Sequence, residues 1–130
     1  MQFRRDSPTE SACRIVLAMP GRDAPSYDTS VPALTLKVGE YTLHHGGLGI
    51  ARTLGRAGVP VYGVHEDRFA PAGLSRYTTG RFVWRTGGQD THQDQLLAGL
   101  DFVAGRIGTR AVLIPTDDYA AVFVADHADA

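Results

Sequence analysis

Residues 44–64 read HHGGLGIARTLGRAGVPVYGV, and this stretch decides the fold. Gly46, Gly47 and Gly49 suit a sharp turn and bring backbone N–H groups within reach of a ligand. Leu48, Ala51 and Leu54 then recur at helical spacing, and Ile50 lies one turn before Leu54. The spacing predicts a helix over Gly47–Ala57. Gly58 ends it and Pro60 keeps it from resuming. Val61–Val64 follows as a short strand. Glycine loop, amphipathic helix and buried strand together make half of an α/β unit, with a ligand crevice expected at the glycine end.

Working outward, Ala33–Val38 reads as the preceding strand, with Leu34, Leu36 and Val38 on one face and Thr35 and Lys37 on the other. A loop from Gly39 to Gly46 joins it to the helix. Downstream, Arg81–Trp84 reads as a third strand. A helix over roughly 91–107 carries Leu96, Leu100, Val103 and Ile107, capped in front by Asp90 or Thr91 and behind by Gly108. Ala111–Ile114 is wholly apolar and is ended by Pro115, the pattern of a strand covered on both faces. Thr116-Asp117-Asp118 opens a last helix with Ala121, Val124 and Ala128 as its apolar positions. Residues 1–31 are expected to be a loosely held arm, with Ile15–Met19 as a candidate edge strand. Residues 32–130 form the domain.

Strands alternating with helices imply right-handed crossovers and a mostly parallel sheet between two helical layers. The expected strand order is 3-2-1-4. It reverses between the strands at 33–38 and 111–115, so the His44–Gly49 loop should face the Thr116–Asp118 turn across one crevice.

Composition narrows the function. The 130 residues suffice for one domain and not for two. A formal charge of −1 argues against broad capture of nucleic acid. Nothing has the length of a membrane span. The single cysteine, Cys13, excludes an internal disulfide and a cysteine-rich zinc site, and a reducing cytoplasm is the natural compartment.

Three blocks, LHHGGLGIARTLGRAGVPVYGVHED, SRYTTGRFVW and VLIPTDDYAAVFVADHAD, resemble the N-terminal (pre-ATP-grasp) domain of bacterial ATP-grasp carboxylate–amine ligases. The resemblance covers about residues 32–130. It implies a Rossmann-like fold and a substrate-side role in amide-type bond formation, in which ATP phosphorylates a carboxylate and an amine attacks the acyl phosphate. It implies ATP and Mg²⁺ as cofactors of the parent ligase and none in this chain. The implied partners are an ATP-grasp domain, in cis or as a separate chain, a small carboxylate or amine substrate, and a second copy as a homodimer. The chain to Ala130 has no room for the grasp itself, so it is not expected to be catalytic alone.

The expected substrate-binding residues are His45, Gly46, Gly47, Gly49, Arg76, Thr116, Asp117 and Asp118. The glycines offer helix N-terminal N–H groups to an anion. Arg76 offers a planar fork to a carboxylate or phosphate. Asp117 and Asp118 either hold a substrate amine or serve as an ordinary N-cap and first-turn acid. Lys37 either reaches the crevice as an anion ligand or lies on a partly exposed strand. His44 and His45 face opposite ways if extended, which makes a shared metal ion unfavourable. Tyr41, Phe82 and Trp84 read as core or interface.

Two other readings are open. A free-standing Rossmann-type module for NAD or another nucleotide gains from Glu66 and Asp67, placed where a ribose-binding acid belongs. It loses from Arg52, which stands where the dinucleotide motif needs Gly or Ala. A non-catalytic interaction domain is the third.

Overall fold

The computed structural model describes residues 26–39, 45–84 and 92–128. Seven elements follow in order: β1 (Ala33–Leu36), α1 (Gly46–Arg56), β2 (Val61–His65), β3 (Gly80–Val83), α2 (Gln93–Ile107), β4 (Val112–Pro115) and α3 (Asp118–Asp126). The four strands form one parallel sheet in the order β3-β2-β1-β4. The fold is α/β and Rossmann-like, with the expected reversal beside β1.

Register shows how β1 centres the sheet. Ala33 stands opposite both Val61 and Val112, and Thr35 stands opposite both Gly63 and Ile114. Every residue of β1 is buried, as a strand covered on both faces must be. Leu34 and Leu36 point into the main core, where Leu96 and Val103 of α2 and Ala120 and Phe123 of α3 meet them. Thr35 and Lys37 face the opposite side, where α1 lies. Phe82 and Trp84 pack against the main core as half-buried rings. Trp84 rests on Gly99 of α2, where a Cβ would come within 2.6 Å of the indole.

Several boundaries and faces differ from the sequence reading. The apolar run at 111–114 is not covered on both faces: β4 stands at the edge of the described sheet, and Val112 is 56% exposed. Its hydrophobicity reports residue type and not position. The buried stripe of α3 is Ala120 and Phe123, while Ala121 is exposed and Val124 half-buried. In a helix this apolar, periodicity marks the core face weakly. The N-cap position of α2 falls to His92, whose side chain makes no capping bond; Asp90 and Thr91 lie outside the described residues. So do Tyr41, His44 and residues 1–25. Gly108 caps α2 as read, with φ 74° and its N–H donated to Ala104 O at 2.9 Å.

The glycines at the front of α1 are helical. Gly46, Gly47 and Gly49 are not a loop but the first turn of the helix. The left-handed glycines among the described residues are Gly58 and Gly108, so no turn requires glycine at 46, 47 or 49. A Cβ at Gly49 would meet nothing within 4 Å. Gly49→Ala is therefore expected to stabilise the protein by about 0.5–1 kcal/mol, since glycine is the poorer helix former. Thermal or urea unfolding checks this, and a loss of stability would show that Gly49 has a structural duty.

Candidate functional site

The carboxyl ends of β1, β2 and β4 and the first turn of α1 border a small cavity of about 20 Å³, room for one water-sized group. Thr35, Lys37, Gly47, His65, Glu66 and Thr116 line it, with Val64 and the 70–72 turn completing the wall. It lies where strand order reverses, the place open parallel sheets offer to ligands.

Each polar member has an identifiable support. Lys37, 9% exposed, reaches Glu66 just past β2, with Nζ 2.5 Å from Oε1. Thr116 Oγ1 donates to Leu36 O at 3.0 Å, tying the end of β4 to the end of β1. Thr35 Oγ1 donates to Tyr62 O at 3.3 Å. From α1 comes an unusual first turn: His45 at the N-cap makes no side-chain capping bond, and no acid occupies the turn. The positive end of the helix dipole is thus left without a counter-charge from its own sequence.

His65 is the exception in this satisfied network. Its residue is 6% exposed, and its Nε2 is buried without a hydrogen-bond partner. The imidazole lies over Gly63 and Gly73, where a Cβ would come within 2.6 Å and 3.2 Å of Nε2. Both positions are held open for the ring. A buried nitrogen with no partner costs free energy, so a hydrogen-bonding group entering the cavity is favoured there. Burial lowers the His65 pKa below its ordinary 6.5; Glu66 opposes the shift, and Arg81 and Lys37 reinforce it.

That shift has a sign in stability. A base whose folded pKa is depressed binds its proton more readily when unfolded, so acid favours the unfolded state. Stability should fall as pH drops below 6.5, by at most about 1.4 kcal/mol per unit for one proton. Urea midpoints between pH 7.5 and pH 5 should show this slope, reduced in His65→Leu. An equal slope in the variant would assign it to other groups.

The expected site residues divide among four places. Gly47 and Thr116 do line one cavity. His45, Gly46 and Gly49 are exposed around the same helix start but are not part of its wall. Arg76 lies elsewhere, in an open groove on the flank of α1. Asp118 is exposed in the first turn of α3.

Asp117 is fully engaged by backbone. Its Oδ1 accepts from Ala120 N at 2.7 Å, and its Oδ2 accepts from Val38 N and Gly39 N, each at 2.8 Å. It caps α3 and clasps the chain leaving β1, so the ordinary capping duty accounts for it. Glu66 is held by Lys37, and Asp67 Oδ1 accepts from Phe69 N at 2.6 Å within its own turn. Neither is left free for a ribose.

Sequence reasoning passed over His65 and Thr35. The signal was there: His65 ends a parallel strand beside the crevice, and Gly63 two residues before it shares its face. Among the described residues no three His, Cys, Asp or Glu side chains gather to hold a metal ion. No described helix is long and apolar enough to cross a membrane. No family model matches the chain, and neither a curated protein nor a solved structure matches it.

Proposed function

We propose that this chain is the substrate-side domain of an ATP-grasp carboxylate–amine ligase, and that its cavity receives the carboxylate end of a substrate. The observation that carries the reading is the convergence of Gly47, Lys37, His65 and Thr116 at the reversal of strand order. The first turn of α1, which carries no acid and receives no bond from the His45 side chain, favours an anion. With Nε2 protonated, neutral His65 is a donor whose missing acceptor a carboxylate oxygen supplies. The Lys37–Glu66 pair keeps the ammonium beside the cavity and oriented. At about 20 Å³ the cavity admits only the head of a substrate, so the remainder lies outward.

The described residues do not fit a magnesium site, since no cluster of three acids or histidines exists among them. In this reading ATP and Mg²⁺ are bound by an ATP-grasp domain, in cis or on another chain. The chain by itself should neither bind ATP–Mg²⁺ tightly nor hydrolyse it. Isothermal titration and a phosphate-release assay test this, and sub-micromolar affinity or turnover by the pure chain would overturn the reading.

A further inference from the structure

The flank of α1 facing residues 71–77 forms an open groove of about 650 Å³, within the size range of small-molecule sites. Its basic wall is Arg52, Arg56 and Arg76; Leu48, Pro71 and Leu74 supply an apolar wall. Among the described residues no Asp or Glu lines it.

Its geometry begins with Gly55. A Cβ there would lie 2.7 Å from Tyr77 Cβ and 2.8 Å from Tyr77 O, so glycine alone lets the helix and the 71–77 segment approach this closely. Tyr77 is thereby fixed against α1, and two guanidinium groups gather on its ring. Arg56 Cζ lies 5.7 Å from the ring centroid and Arg76 Cζ 4.8 Å, with Arg76 Nη2 donating to Tyr77 Oη at 2.8 Å. Arg52 stands one helical turn before Arg56 on the same face. Among the described residues none of these three arginines forms an ion pair with a carboxylate. The two arginines at Tyr77 also hold its phenol below the usual tyrosine range.

We infer that this groove is a binding site for a phosphomonoester, with Arg52, Arg56 and Arg76 holding the phosphoryl group and Leu48, Pro71 and Leu74 meeting the organic body. Like charges gathered on one ring repel one another, and a dianion relieves that repulsion where a monoanion does so only in part. Guanidinium forks match phosphate oxygens two at a time, which a carboxylate satisfies with one fork. The apolar wall, with Leu74 58% exposed, favours an organic phosphate over the free ion. The inference does not depend on the carboxylate reading of the cavity, whose polar residues are different.

The test uses the ¹⁵N-labelled chain titrated with phenyl phosphate, inorganic phosphate and benzoate. Phenyl phosphate should bind most tightly and shift the amides of Leu48, Arg52, Ser75 and Tyr77. Arg76→Ala and the double variant R52A/R56A should each weaken it about tenfold or more, with the fold retained, since these side chains are exposed. Arg76→Lys should not restore binding, because a point charge lacks the fork. Affinity should rise from pH 5.5 to 7.5 as the phosphate takes its second charge, whose pKa is about 6. Benzoate binding as tightly as phenyl phosphate, or affinity indifferent to the arginine variants, would overturn the inference. So would shifts confined to Gly47, His65 and Thr116, a result that leaves the cavity reading intact.

Discussion

Asp117→Ala should destabilise the protein by about 3–5 kcal/mol. A lost N-cap alone costs about 0.5–2 kcal/mol. Here the same carboxylate also accepts from Val38 N and Gly39 N at the buried end of β1, and a hydrogen bond to a charged acceptor is worth about 1.5–3 kcal/mol. Partial entry of water holds the total below the full sum. Asp117→Asn should recover little, because an amide offers one acceptor oxygen where the backbone presents donors to both. Asp118→Ala, on an exposed first-turn acid, should cost only about 0.3–1 kcal/mol. Urea unfolding of the three variants checks this ranking. Equal small losses at 117 and 118 would mean that the clasp contributes no more than a surface charge.

The second large effect belongs to the ion pair at the cavity. Glu66→Gln removes the carboxylate charge against which the Lys37 ammonium, 9% exposed, is held. Breaking a buried pair on one side costs about 3–5 kcal/mol, and the lower end applies because the Glu66 side chain keeps 22% exposure. Lys37→Met combined with Glu66→Gln should lose much less than the two single losses added together, since the charge and its counter-charge are then removed together. A double-mutant cycle in urea should give a coupling of about 2 kcal/mol or more. A coupling below about 1 kcal/mol, the value of exposed pairs, would show that solvent screens the two groups.

The order of the strands was readable because punctuation and periodicity agree along most of the chain. Gly58, Pro60 and Gly108 end helices where they should, and Leu34 and Leu36 share the face their alternation demands. What misled was chemistry whose meaning depends on neighbours distant in sequence. The glycines at 46, 47 and 49 resemble a turn, yet they adopt helical backbone and place no acid in the first turn of α1. Asp117 was legible as a cap for Ala120, but not as an acceptor for Val38 and Gly39, which lie 79 and 78 residues away along the chain. Lys37 was legible as an intruder in an apolar strand, and only the fold brings Glu66 to it. The face of α3 was not readable, since nearly every residue of that helix is apolar and packing alone selects Ala120 and Phe123.

The cavity as a carboxylate site is tested most directly by an amide-shift titration of the ¹⁵N-labelled chain with small carboxylates, from acetate to the α-amino acids. The account predicts saturable shifts centred on Gly47, His65 and Thr116, abolished in His65→Leu while the fold persists. Shifts absent from those three amides at saturating carboxylate, or unchanged in His65→Leu, would contradict it.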